Sequence, residues 1–347
     1  QNGTTYDQFP TIWIQLATLA ALLFFCWVAS RGLNPLKKLA TIAGTSMFVM
    51  SILYILMMFA APAINPNGGY VTMEFSKETL IPQFNLGYFT SLSILVFAVG
   101  GCEKISPYVN KVKDPSRGFP KGMIALAIMV MVCAILGTIA MGMMFDPTVI
   151  NESSESFNSY VSNGAYWSFQ KLGEYYHVGN LLLIIYAACN AIGQFSTLVL
   201  SIDAPLRMLL DNEDARQFVP TKLLKKNQHG AYINGIFMVA GLSGSIILIQ
   251  SFVPGAAAVL TKLNSVTMPL RYLWVFVAYI ALRKAADKFH PEYRFVKNQG
   301  IALTAGIWCF VVTAFCCIFG MYVEGDPAST ALNVITPFVL TALGLIL

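Results

Sequence analysis

The chain of 347 residues is 56% hydrophobic, 13% aromatic and only 11% charged, with a mean hydropathy of +0.63 and a formal net charge of +5. A soluble domain carries about 25% charged residues, so an ordinary soluble fold is excluded, and the aromatic content excludes disorder. Seven cysteines scattered among apolar runs do not make a secreted disulfide scaffold; Cys26, Cys133, Cys309 and Cys316 read as small buried thiols.

A membrane-spanning helix needs about 20 mostly apolar residues. Windows of that kind place nine spans at residues 11–30, 36–62, 86–110, 122–145, 178–206, 232–252, 257–282, 301–323 and 329–347. They predict an all-α polytopic membrane protein, one transmembrane domain over 1–347, with no room for a separate soluble domain. Residues 1–10 are polar and lack the basic start of a secretory signal. The chain opens on Gln1 and stops at Leu347 inside an apolar run, so a piece of a longer transporter-like chain is expected.

The third span carries the most informative stretch, Phe97-Ala-Val-Gly-Gly-Cys-Glu103, followed by Lys104-Ile-Ser-Pro107. Gly100 and Gly101 each lower helix propensity by about 1 kcal/mol, and Pro107 removes a helical hydrogen bond. Together they predict a discontinuous helix. Irregular backbone at membrane depth survives where protein or a wet cavity satisfies it, and transporters bind substrate at such breaks. Freed amides can hold a carboxylate and freed carbonyls an ammonium. The plainer alternative is a kinked helix with glycines for close packing. Glu103, costing about 2.5–3.5 kcal/mol on insertion scales if central, reads as a gate, proton carrier or cation contact, or else pairs with Lys104 or Arg117.

Between the fourth and fifth spans, residues 147–177 form an outward loop with helical turns. There Phe157, Tyr160, Trp167, Phe169, Tyr175 and Tyr176 interleave with polar residues, which suits turns lying across an entrance, or an interfacial aromatic belt. Asn151-Glu-Ser153 is a weak glycosylation match. The fifth span carries Asn190, Gln194, Thr197 and Ser201 at offsets 0, 4, 7 and 11, on one helix face. Lipid does not tolerate such a stripe, so it faces other helices as hydrogen-bonding glue or lines a solvated path. Asp203 and Arg207, spaced i and i+4, read as a structural ion pair. Residues 211–229 alternate charged and apolar side chains, which suits an inward-facing amphipathic hairpin.

In the seventh span Lys262 and Arg271 are about 13 Å apart along the helix, so both cannot reach one interface. Lys262 can snorkel to the mouth. Arg271 lies near the midplane and needs a carboxylate partner, exposed carbonyls or an anionic substrate. The remaining basic residues set orientation. Eighteen of the 22 fall in the segments that begin at Arg31, Glu103, Arg207 and Arg283, which places the loops after those residues in the cytoplasm of a multi-pass inner or plasma membrane protein. The positive charge therefore serves orientation and anionic headgroups, and no nucleic acid is expected as a partner.

The run Phe97-Ala-Val-Gly-Gly-Cys-Glu103 followed by Lys113-Asp-Pro-Ser-Arg117-Gly-Phe-Pro120 resembles the sixth helix of permeases of the amino acid-polyamine-organocation superfamily. Ser201-Ile-Asp-Ala-Pro-Leu-Arg207 through Phe218-Val-Pro220 is similar to the end of that family's eighth helix, and residues 225–230 look most like its glutamate/GABA-antiporter branch. The resemblance implies a twelve-helix inverted-repeat bundle in which the nine spans are helices 4–12 and helices 1–3 are absent. It implies a substrate site at Phe97, Gly100 and Gly101, to which the polar face of Asn190, Gln194, Thr197 and Ser201 is added where it lines a solvated path. Phe97 would gate the substrate, Glu103 would be the gate-linked carboxylate, and Arg271 joins it as a gating or coupling residue. Leu198 and Leu200 stand where several relatives carry a bulky aromatic, and Arg271 is not expected throughout the family.

The function expected is transport of amino acids by alternating access, as exchange first and proton symport second, with an amino-acid substrate and the bilayer as partners. Self-association into a homo-oligomer is left open. A channel or structural subunit would lack the helix break. A membrane enzyme is disfavoured, because His177, His229 and His290 lie in loops and no metal-ligand, nucleophile or phosphate-loop pattern occurs; no cofactor or metal is expected.

Overall fold

The computed structural model describes residues 11–72, 76, 77, 81, 82, 84–150, 154–211, 217–250, 252, 256–286, 288, 293–323 and 327–346. The side chains of Phe97, Glu103, Phe157 and Lys262, and the Asn151-Glu-Ser153 match, lie outside this description. In chain order the helices are α1 (Thr11–Ser30), α2 (Leu33–Ile64), α3 (Leu86–Val99), α4 (Pro115–Gly142), α5 (Ser154–Tyr175), α6 (Leu181–Leu210), α7 (Ile233–Gln250), α8 (Ala256–Lys284), α9 (Gln299–Met321) and α10 (Pro327–Ile346). A 3-10 helix, Cys102–Lys111, follows α3, and a short one, Thr221–Leu224, precedes α7.

The chain is an all-α polytopic membrane protein. Among the described residues α1, α2, α4, α6 and α9 are long and apolar enough to cross a membrane. Many large apolar side chains point outward, among them Trp13, Trp274, Trp308 and Phe338, each more than 60% exposed. A water-soluble protein avoids such contiguous surface; lipid accepts it.

Two compact units emerge. One comprises residues 1–16, 77–123 and 245–347, the other 17–76 and 124–244, so each boundary falls within a helix or beside Ser76. In the first unit α3 packs on α8 and α9, with Phe89 edge-on to Phe315 and tilted against Phe319. In the second, α2, α5 and α6 pack together around Met50, Tyr54, Met58, Met144, Phe169 and Leu172.

Two segments singled out in the sequence take the following forms. The aromatic part of the 147–177 loop is one 22-residue helix, α5, because Phe169 stacks on Tyr186 at 4.2 Å and Tyr175 is buried, so the aromatics bind the unit's core. Three further bonds staple it: Lys171 Nζ donates to Met144 O at 2.7 Å, Tyr176 Oη to Met57 O at 2.7 Å, and Asn65 Nδ2 to Tyr175 O at 3.3 Å. In 211–229, the described residues form a 3-10 turn, and Lys226 forms one antiparallel bridge with Tyr232.

Candidate functional site

The third span is broken where its glycines stand. α3 ends at Val99, Gly100 lies outside helix, and Gly101 has φ 110°, a left-handed value at which a side chain would be strained. The chain then continues as the 3-10 helix rather than a second α-helix, with Pro107 inside it. The break is held from another helix. Gly101 N–H donates to Tyr272 Oη of α8 at 2.6 Å. A Cβ on Gly100 would sit 2.6 Å from that hydroxyl and 2.7 Å from Met268 Cε, so only glycine lets α8 approach this closely.

Tyr272 was not singled out by sequence. A signal existed: a phenol in the middle of an apolar span needs a hydrogen-bond partner, and Met268 and Tyr272 share a face at i and i+4. Glu103 lies two residues past Gly101 on the 3-10 helix, and Phe97 in the last turn of α3; their side chains are outside the description. Arg271, next to Tyr272, is exposed and forms no ion pair among the described residues. It lies midway along α8, 15 residues from Ala256 and 13 from Lys284.

The second unit holds a separate groove of about 350 Å³ between α2 and α6, mostly apolar with a few polar side chains. Asn190, Gln194 and Thr197 line it on one side, and Ala40, Ala43 and Gly44 on the other. Ser201 continues the same face one turn on and is exposed. The opposite face of α6 is buried through Leu182, Val199, Ile202 and Leu206, which explains why the polar residues fall together. Asn190 is partly spoken for: its amide donates to Tyr166 Oη of α5 at 2.7 Å. Thr197 Oγ1 donates back to Gly193 O at 3.1 Å.

Below the groove, Arg207 Nε donates to Asp203 Oδ2 at 2.6 Å with both residues buried, the i, i+4 pair expected from their spacing. Asp211 extends this cluster. Its Oδ1 accepts from Tyr232 Oη at 2.5 Å and from Lys226 Nζ at 3.0 Å. Partial burial opposes ionisation of Asp211, but hydrogen bonds from Tyr232 and Lys226 and the charges of Lys226 and Arg207 outweigh it and hold the carboxyl below its usual range. Contact with Tyr232, then with Asp211, raises the Lys226 ammonium despite some desolvation. Asn227 Nδ2 donates to Ser30 O at 2.6 Å, which ties the loop to the end of α1.

Among the described residues no cluster of three metal-ligating side chains occurs. Residues 3–344 match the model of a protein family described as amino acid permease. The chain is 44% identical over 359 residues to the aspartate/glutamate permease AcaP of Lactococcus lactis subsp. cremoris, covering 100% of this chain and 72% of that protein. It is 23% identical over 341 residues to the inner membrane transporter YjeM of Escherichia coli, covering 89% of this chain and 64% of that one. Against YjeM of Salmonella typhimurium identity is 22% over 329 residues, covering 88% and 63%. The chain therefore spans somewhat under two thirds of the YjeM proteins.

Proposed function

Because this chain belongs to the amino acid permease family, we propose that it carries amino acids across the membrane by alternating access, with acidic amino acids as substrates. Family and relatives are transporters, not enzymes. The observation that carries the reading is the α3 break, where Gly101 presents irregular backbone beside α8. The carbonyl end of an α-helix such as α3 suits an ammonium, and the amide end of the 3-10 helix that follows suits a carboxylate. An amino acid offers both groups in that order of charge. The acidic preference follows the relative named for aspartate and glutamate.

Phe97 would close over the substrate and Glu103 would link occupancy to the gate. The groove with Asn190, Gln194 and Thr197, and Ser201 one turn beyond it, would offer polar contacts along α6. The basic loops would face the cytoplasm. Exchange is the transport mode we favour, on the resemblance to the antiporter branch.

The test is uptake of labelled amino acids into liposomes containing the full protein, with and without internal amino acid. Uptake that needs an internal amino acid and falls with Glu103→Gln supports exchange through this site. Gradient-driven uptake into empty vesicles would replace exchange by proton symport. No amino-acid flux from a folded, inserted protein would overturn the reading.

A further inference from the structure

We infer that Arg271 is the residue that selects acidic side chains, holding the second carboxylate of the substrate beside the α3 break. This rests on the amino-acid reading above and adds the identity of the discriminating group. An acidic amino acid brings two carboxylates and one ammonium. The break supplies amides for one carboxylate and carbonyls for the ammonium. The second carboxylate keeps a full negative charge at membrane depth, where an unpaired charge is costly.

Arg271 meets that need by position. It is about 20 Å along α8 from Lys284 and about 22 Å from Ala256, which is midway through the helix. Among the described residues of α8 and of the helices long and apolar enough to span, it is the basic side chain that lies midway; Arg207 stands at the end of α6 in its pair with Asp203. Its register to the break is fixed, because the neighbouring Tyr272 touches Gly101 at 2.6 Å. Successive helix residues are about 100° apart, so the guanidinium leaves α8 beside the Tyr272 contact rather than beneath it. It is exposed rather than packed, and no ion pair among the described residues engages it. A planar guanidinium binds a carboxylate with two parallel hydrogen bonds, which a neutral amide side chain cannot match.

The experiment compares Arg271→Gln, Arg271→Lys and Glu103→Gln with the unaltered protein in liposomes, measuring KM for aspartate, glutamate, asparagine and glutamine. Arg271→Gln is expected to raise KM for the two acids by about 10- to 100-fold and leave the two amides unchanged or improved. Arg271→Lys keeps the preference for acids with a smaller rise. Equal loss for acids and amides, or acid selectivity kept in Arg271→Gln, overturns the assignment. So does a Glu103→Gln protein with the same selectivity change, since Arg271 would then act as that carboxylate's counter-ion. Should the variants not fold, phenylglyoxal labelling of the unaltered protein decides: glutamate must protect Arg271 and glutamine must not, and labelling indifferent to both overturns it. A protein that transports no amino acid at all fails the underlying reading instead, and the unaltered control reports that separately.

Discussion

Gly100→Ala is the perturbation that most directly tests how the break is built. The new Cβ would lie 2.6 Å from Tyr272 Oη and 2.7 Å from Met268 Cε, where ordinary contact begins near 3.4 Å. The Met268 methyl is the free end of a flexible side chain and can swing aside. Tyr272 cannot move without giving up its bond to Gly101 N. Overpacking costs about 1–3 kcal/mol, and loss of that hydrogen bond about 0.5–1.5 kcal/mol, so roughly 2–4 kcal/mol is expected in all. Tyr272→Phe alone gives up the hydroxyl's bond to Gly101 N, about 1 kcal/mol, without the overpacking. The double variant removes the oxygen that the Cβ meets, so its cost should fall short of the sum by about 1 kcal/mol. Gly101→Ala behaves differently. Among the described residues no atom outside its immediate chain neighbours lies within 4 Å of its Cβ, and its cost, about 1–2 kcal/mol, is conformational and is not relieved by Tyr272→Phe. Denaturant unfolding of the purified protein in detergent, alongside glutamate uptake, measures all six proteins, both double variants included. If Gly100→Ala matches the parent in stability, or its cost adds fully to that of Tyr272→Phe, the contact described here does not hold the break.

Asp203→Ala removes the 2.6 Å partner of the buried Arg207 guanidinium and leaves it more distant ones such as Asp211 at 3.9 Å, so it should destabilise by about 3 kcal/mol, whereas the joint change Asp203→Leu with Arg207→Met should cost far less, as read by denaturant unfolding. The loop clamp has a defined pH window. Asp211, with its carboxyl held below the ordinary 3.8, contributes above that value and loses its contribution as pH falls through the depressed one; Lys226, raised above 10.5, contributes below that value and loses it as pH climbs through the raised one. Hydrogen exchange at the Gly230 and Ala231 amides should therefore show constant protection from pH 5 to pH 9 once corrected for intrinsic rates, and protection that rises or falls by tenfold inside that window would refute the clamp.

Much of the fold is legible because lipid simplifies the code. Apolar length marks α1, α2, α4, α6 and α9, and the i, i+4 spacing of Asp203 and Arg207 was enough to place their bond. The Asn190-to-Ser201 stripe was legible as one face, but not its division of labour, since the partner of Asn190 is Tyr166 on α5, a helix whose mixed composition hid its length. The loop clamp was illegible for a related reason: Asp211, Lys226 and Tyr232 meet through a turn whose geometry no periodicity encodes.

The break itself shows where local reading stops. Gly137 in α4, Gly193 in α6 and Gly241 in α7 sit within continuous helix, so a glycine at span depth does not by itself end one. Two glycines lower helix stability by about 2 kcal/mol together, while a backbone hydrogen bond forfeited in hydrocarbon costs several. Propensity alone therefore leaves the third span helical. What changes the balance is an acceptor brought from 171 residues away, the Tyr272 hydroxyl, which takes the Gly101 N–H once Gly100 has let α8 come close. The discontinuity is a tertiary feature written in two places. Its glycines announce it in the sequence, and the phenol that sustains it is recognisable only when α3 and α8 are seen side by side.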